Sequence, residues 1–155
     1  MSRSGADLAL LLLGGFRVLV DSATAELAAR GYEDVRPAHD FAMRAIDTGA
    51  NSASELGRRM SITKQSAAKI IETLLDRGYL RREPDPDDAR RKRLSVTPLG
   101  HEVMREGERV FNLLRSRFQR RIGKSELAAL EQHLSALVGD AGVRFDAPGW
   151  VATAL

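Results

Sequence analysis

One stretch, Ser54 to Gly100, constrains the fold more than any other. It reads SELGRRMSITKQSAAKIIETLLDRGYLRREPDPDDARRKRLSVTPLG. A short helix is expected over Ala53 to Met60, with Leu56 turned to the core and Gly57 allowing close helix approach. Ser61-Ile62 make a tight turn. A longer amphipathic helix follows from Thr63 to about Arg77, and Gly78 stops it. Tyr79 to Arg82 and Lys92 to Thr97 then read as two strands around the turn cluster Pro84-Asp85-Pro86-Asp87-Asp88. That order is helix, turn, helix, wing. A helix-turn-helix offers its second helix to the DNA major groove, and a hairpin beside it can reach the adjacent minor groove.

The second helix of the pair divides its residues by chemistry. Thr63 suits the N-cap, where its hydroxyl satisfies one of the unpaired amides that begin any helix. Ala67, Ile70, Ile71, Leu74 and Leu75 form one apolar face. Lys64, Gln65, Ser66 and Lys69 gather on the other, near the N-terminus, where a recognition helix places its base-reading groups. Gln can pair bidentately with adenine, Lys can reach guanine acceptors, and Ser tolerates either. A solvated helix face would look similar; the neighbouring turn and basic hairpin favour the DNA reading. The hairpin carries Arg81, Arg82, Arg90, Arg91, Lys92 and Arg93, and arginine suits a narrow, electronegative minor groove. Asp88 is the odd member, expected to hold Arg90 or a neighbour and stiffen the tip.

Charge is distributed accordingly. The 155 residues carry a net +3. Residues 1–57 hold 5 basic and 8 acidic side chains, residues 58–121 hold 17 and 9, and residues 122–155 hold 2 and 4. The positive field lies on the middle of the chain, the footprint expected of phosphate binding. There are no cysteines, which excludes disulfides, thiolate metal sites and a cysteine redox switch. The apolar run Leu8 to Leu13 is too short to span a bilayer and lacks the flanks of a signal peptide, so a cytoplasmic protein without membrane contact is expected.

The flanks read as helices. Residues 7–30 place Leu8, Leu12, Phe16, Leu19, Ala23 and Leu27 on one stripe, widened by Leu11 and Val20, interrupted by Gly14-Gly15, and closed by Gly31. Close packing on a partner helix is the preferred reading of that glycine pair. A second helix runs from Pro37 to about Thr48, with Phe41, Ala45, Met43 and Ile46 facing inward. Ser52 is favoured as the cap of the next, with Glu55 at capping-box spacing. After the hairpin, Thr97 caps a helix that Pro98 opens and that runs to about Arg121 with Val103, Val110, Leu113, Leu114 and Phe118 as apolar positions. Ser125 is expected to cap the last helix, striped by Leu127, Leu130, Leu134 and Leu137. The apolar run Trp150-Val151-Ala152 suggests a tail packed on something, such as a partner subunit.

Taken together, residues 53–104 resemble the MarR (multiple antibiotic resistance regulator) family of bacterial winged-helix regulators. The resemblance rests on the L-x-x-x-G-Y-L junction from Leu74 to Leu80, the D-x-R signature Asp88-Ala89-Arg90, and the S-V-T-x-x-G close from Ser95 to Gly100; the flanking helices fit in number and order. It implies a mainly α fold with a small β-hairpin wing: a winged helix-turn-helix over residues 37–97, and a helical dimerisation region from residues 1–36 and 98–155. It implies a homodimer that binds a palindromic double-stranded operator, usually as a repressor, and is released by a small-molecule effector. By position, Thr63, Lys64, Gln65, Ser66 and Lys69 would supply recognition-helix contacts. Arg90 would enter the minor groove beside Arg91, supported by Asp88. The family's inducer pocket lies between the dimer helices and the winged domain, and Phe16, His39, Phe41 and Arg44 are its candidates here. No cofactor is implied.

Two other readings share the fold. A metal-responsive regulator would need clustered ligands, and His39, His101 and His133, with Asp40 and Glu102 nearby in sequence, are scattered, so no metal site is assigned. A winged-helix interaction module without DNA binding is the other; the polar recognition-helix start and the basic wing argue against it. Enzymatic function is not expected: there is no glycine-rich phosphate loop, no nucleophile elbow and no compact acid, base and nucleophile set.

Overall fold

The helix stop at Gly78, the turn at Ser61 and three threonine or serine caps shape the winged segment. The structure, a computed structural model, describes residues 4–141. Among them are six α-helices, a terminal 3-10 turn (Gly139–Ala141) and one antiparallel hairpin. The helices are α1 (Gly5–Ala29), α2 (Pro37–Asp47), α3 (Ala53–Met60), α4 (Lys64–Asp76), α5 (Pro98–Ile122) and α6 (Lys124–Val138). The strands are β1 (Leu80–Pro84) and β2 (Lys92–Val96). The expected apolar tail around Trp150 lies outside the described residues.

Caps start the helices where sequence places them. Ser52 Oγ accepts from the Glu55 amide, Thr63 Oγ1 from the Ser66 amide and Thr97 Oγ1 from the Gly100 amide, each satisfying an orphan donor. The Glu55 carboxylate reaches one residue further than a capping box requires, to the Asn51 amide at 2.8 Å. The last helix differs: Gly123, with φ of +101°, holds the N-cap position of α6 without a side-chain cap, and Ser125 falls inside the helix.

The core of the winged domain is built from α2, α3, α4 and the hairpin. Met43, Leu56, Met60 and Leu74 are fully buried at its centre, joined by Leu80, Leu94 and Val96 from the strands and Val103 from α5. Two glycines let backbones meet. A Cβ on Gly57 would press on the Ile62 carbonyl, and one on Gly100 would collide with the Tyr79 carbonyl and the Val96 side chain. Thr97 Oγ1 then ties the wing to the end of α4, donating to the Gly78 carbonyl at 2.6 Å. Gly107 of α5 lies beside the Asp40 carboxylate of α2, at a distance where a Cβ would make ordinary contact with it.

The flanking helices depart from expectation in which way their stripes face. In α1 only Ala23 and Leu27 are buried, where the helix crosses α5. Residues 5–19 are exposed throughout, including Leu8, Leu11, Leu12, Phe16 and Leu19 of the stripe and Leu10, Leu13 and Val18 beside it. A Cβ on Gly14 or Gly15 would meet nothing within 4 Å among the described residues. In α6 only Leu127 is buried, while Leu130 and Leu137 are exposed, as is Phe118 at the end of α5. Periodicity found these stripes correctly but could not say that one chain offers them no surface to pack on. A 25-residue helix with a mean hydropathy of 1.6 over its most apolar window is also long and apolar enough to cross a membrane, a match the six-residue run alone did not suggest. The buried core helix of a soluble protein and an N-terminal signal sequence pass the same test.

Candidate nucleic-acid interface

The recognition helix α4 is positioned by the turn before it. Ser61 takes the left-handed conformation at φ of +53° and closes α3, a cost usually borne by glycine. The Ile62 amide then bonds back to the Gly57 carbonyl at 2.9 Å. The turn aims the first turn of α4 away from the core, with its unpaired amides and the positive end of its dipole facing outward. Lys64, Gln65 and Lys69 are exposed there, Thr63 is exposed and Ser66 half-buried, while Ala67, Ile70, Ile71 and Leu74 are buried on the opposite face. Thr63 Oγ1 donates to Ser66 Oγ at 2.9 Å, so these two hydroxyls are held together at the helix start. Ala68, which sequence reasoning passed over, is exposed between Gln65 and Lys69. Its methyl is a group that can contact a thymine methyl, and only its placement on this face reveals it.

Arg58 is exposed at the end of α3. Its neighbour Arg59 is committed elsewhere: Nη1 donates to the Ala45 and Thr48 carbonyls and to Thr48 Oγ1 at 3.0–3.2 Å. It therefore caps the C-terminus of α2, where a cation is favoured by the dipole.

The wing pairs Leu80 with Val96, Arg82 with Leu94 and Glu83 with Arg93. Its tip is closed by aspartates. Asp85 Oδ1 accepts from the Asp87 amide, and Asp88 Oδ1 accepts from the Arg90 amide at 3.0 Å, two side-chain turns of the kind aspartate favours. The arginine that Asp88 pairs with is Arg91, at 3.8 Å. Arg90 is thus held by its backbone with its guanidinium projecting from the tip, and among the described residues no carboxylate pairs with it. The same is true of Arg82, Lys92, Lys64 and Lys69.

Of the four candidate pocket residues, His39, Phe41 and Arg44 lie on α2 and Phe16 on α1. His39 is buried, 6% exposed, with Nδ1 accepting from the Arg36 amide at 3.1 Å. Burial pushes its pKa down to about 4, helped by the nearby Arg77 and Arg36 cations. Phe41, two residues on, is half-buried on another side of the helix, and Phe16 is exposed on α1. Arg44 pairs with Asp40, Nε to Oδ2 at 2.7 Å. Asp40 Oδ1 is buried without a hydrogen-bond partner; burial pushes this carboxyl up, while Arg44 opposes that shift. Among the described residues no three His, Asp or Glu side chains gather as a metal-holding group. His101 instead pairs with Asp47 at 2.8 Å, linking α5 to the end of α2.

Comparison with known proteins agrees with this geometry. The MarR family model matches residues 42–91, from α2 to the wing tip. No curated protein matches the chain. Among solved structures, Escherichia coli MarR in its reduced form gives a TM-score of 0.70 at 17% identity, covering 90% of this chain and 99% of that one. Streptococcus pneumoniae FabT, in complex with DNA, gives 0.70 at 16% identity over 86% and 94%. A Mycobacterium tuberculosis MarR family protein in complex with p-aminosalicylic acid gives 0.64 at 21% identity over 85% and 98%. At these identities the likeness to the three structures is one of fold.

Proposed function

We propose that this chain, a member of the MarR family, is a transcriptional regulator that binds a palindromic operator as a homodimer and represses until a small molecule releases it. The observation that carries the reading is the outward face of α4. Thr63, Lys64, Gln65, Ser66 and Lys69 sit at the end of the helix that points away from the core, next to a hairpin whose tip projects Arg90. Lys and Arg supply phosphate and groove contacts, Gln65 and Ser66 read base edges, and Ala68 adds an apolar contact. Asp88 and Arg91 brace the tip. FabT, crystallised with DNA, is similar in fold and supports the choice of partner.

Two recognition helices related by a two-fold read half-sites about one helical turn apart. The effector would bind beside α2, between the winged domain and the dimer helices, with Phe16 and Phe41 offering apolar contact and Arg44 a cation; His39 sits behind them in the core. Salicylate-type acids bound to the mycobacterial protein make an aromatic carboxylic acid the ligand chemistry to try first. Binding there would favour one spacing of the recognition helices over another, a population shift between two states.

The wing is tested by replacing Arg90 and Arg91 with Ala. Titration against a DNA fragment recovered with the wild-type protein is expected to show at least several-fold weaker binding. Unchanged affinity would remove the wing from the interface.

A further inference from the structure

The wing carries six basic side chains between residues 81 and 93, but they are not equivalent. Alternation along the strands places Arg81, Glu83, Arg93 and Ser95 on one face of the hairpin, and Arg82 and Lys92 on the other. Glu83 and Arg93 are directly opposed across the ladder, as are Arg81 and Ser95. Glu83 Oε1 accepts from both Nε and Nη2 of Arg93, at 3.0 and 2.8 Å. Its other oxygen accepts from Arg81 Nε at 3.1 Å, and Arg81 Nε also reaches Ser95 Oγ at 3.2 Å. One carboxylate therefore clamps two guanidinium groups, and the three side chains together carry a single positive charge.

A carboxylate on a DNA-facing hairpin repels phosphate, so its presence calls for a role. Cross-strand pairing that steadies a short two-stranded hairpin is one. It does not require that the carboxylate engage both arginines, one through each oxygen, while Arg82, Arg90 and Lys92 are left without a carboxylate. We propose that Glu83 is a positioning residue that holds Arg81 and Arg93 back from the DNA backbone, so that the wing meets DNA through Arg82, Arg90 and Lys92 and sequence-independent binding stays weak. The proposal rests on the DNA-binding reading above. Sequence-independent affinity scales with the number of phosphates neutralised, and each arginine released from the clamp adds to that number without adding base readout.

The test is the salt dependence of binding to a random-sequence duplex, measured with the full chain. Glu83→Gln removes the charge and keeps the shape. It is expected to steepen the slope of log affinity against log salt by about 1 to 2 per wing, and to tighten low-salt binding at least several-fold, since each added phosphate contact contributes roughly 0.9. The triple variant Arg81→Ala, Glu83→Ala and Arg93→Ala removes the two arginines together with their carboxylate, leaves no bare negative charge, and is expected to keep the wild-type slope, with affinity within about twofold. A hairpin-stabilising role alone would leave the Glu83→Gln slope unchanged, which would overturn the proposal. So would a shallower slope in the triple variant, because the two arginines would then be touching phosphate in the wild type. If the wild-type chain shows no salt-dependent DNA binding, the functional reading itself fails and this proposal with it.

Discussion

His39 lies where α2 begins, with its Nδ1 accepting from the Arg36 amide. In the folded chain its pKa is pushed down to about 4 by burial and the adjacent cations; unfolded, it returns to the ordinary value near 6.5. The unfolded chain therefore takes up the proton first as pH falls. The stability His39 contributes is fully present above about pH 6.5 and is lost progressively toward pH 4, with a total on the order of 3 kcal/mol. Urea unfolding of the wild type at pH 7 and pH 4.5 is expected to show a drop that His39→Gln largely abolishes, since Gln keeps an acceptor for the Arg36 amide but does not titrate. Parallel losses in both proteins would contradict this role. Residue-level chemistry of this kind was only partly legible in the sequence. Three of the four helix caps expected on Ser or Thr follow directly from local spacing, because a cap needs only its own neighbours. The bond from the Arg36 amide to His39 is local, but the burial of His39 is set by the packed domain, and Glu83 as a clamp depends on a partner across the strand ladder, which no local pattern encodes.

At the scale of elements, the helix-turn-helix and the wing were legible nearly to the residue. The apolar face of α4 and the Gly78 stop are periodic and local, and the strands shifted by only one or two residues. The facing of α1 was not legible. A helix that is apolar on all sides is ordinarily enclosed, and residues 5–19, about 22 Å of helix, are exposed in a single chain. Leu10 and Leu13, off the expected stripe, show that the enclosure must come from more than one side. In the proposed homodimer, the exposed Phe118, Leu130 and Leu137 would supply apolar surface for a second copy, since exposed apolar patches mark interaction sites. Replacing Leu11 and Leu19 with Asp is expected to convert a dimer of 17.0 kDa chains to monomers in sedimentation, with the helical content of the winged domain kept. A wild-type chain that sediments as a monomer, or a variant that stays dimeric, would place the interface elsewhere.

On the scale of the whole molecule, charge and fold converge. The excess of basic residues falls on the winged segment and the helix after it, and both flanks are acidic. Ion pairs from Arg30 to Glu106 and Arg117 to Glu26 tie α1 to α5, and α5 connects to α2 by His101 and Asp47. In the proposed homodimer, this chain of contacts would couple the dimer helices to the spacing of the two recognition helices. The measurement that bears most directly on this account is selection of bound sequences from a random duplex pool at moderate salt. The account predicts enrichment of a palindrome whose half-sites lie about one helical turn apart, 10–10.5 base pairs centre to centre. Recovery of a pool with no enriched sequence, at a protein concentration where the chain is dimeric, would contradict it.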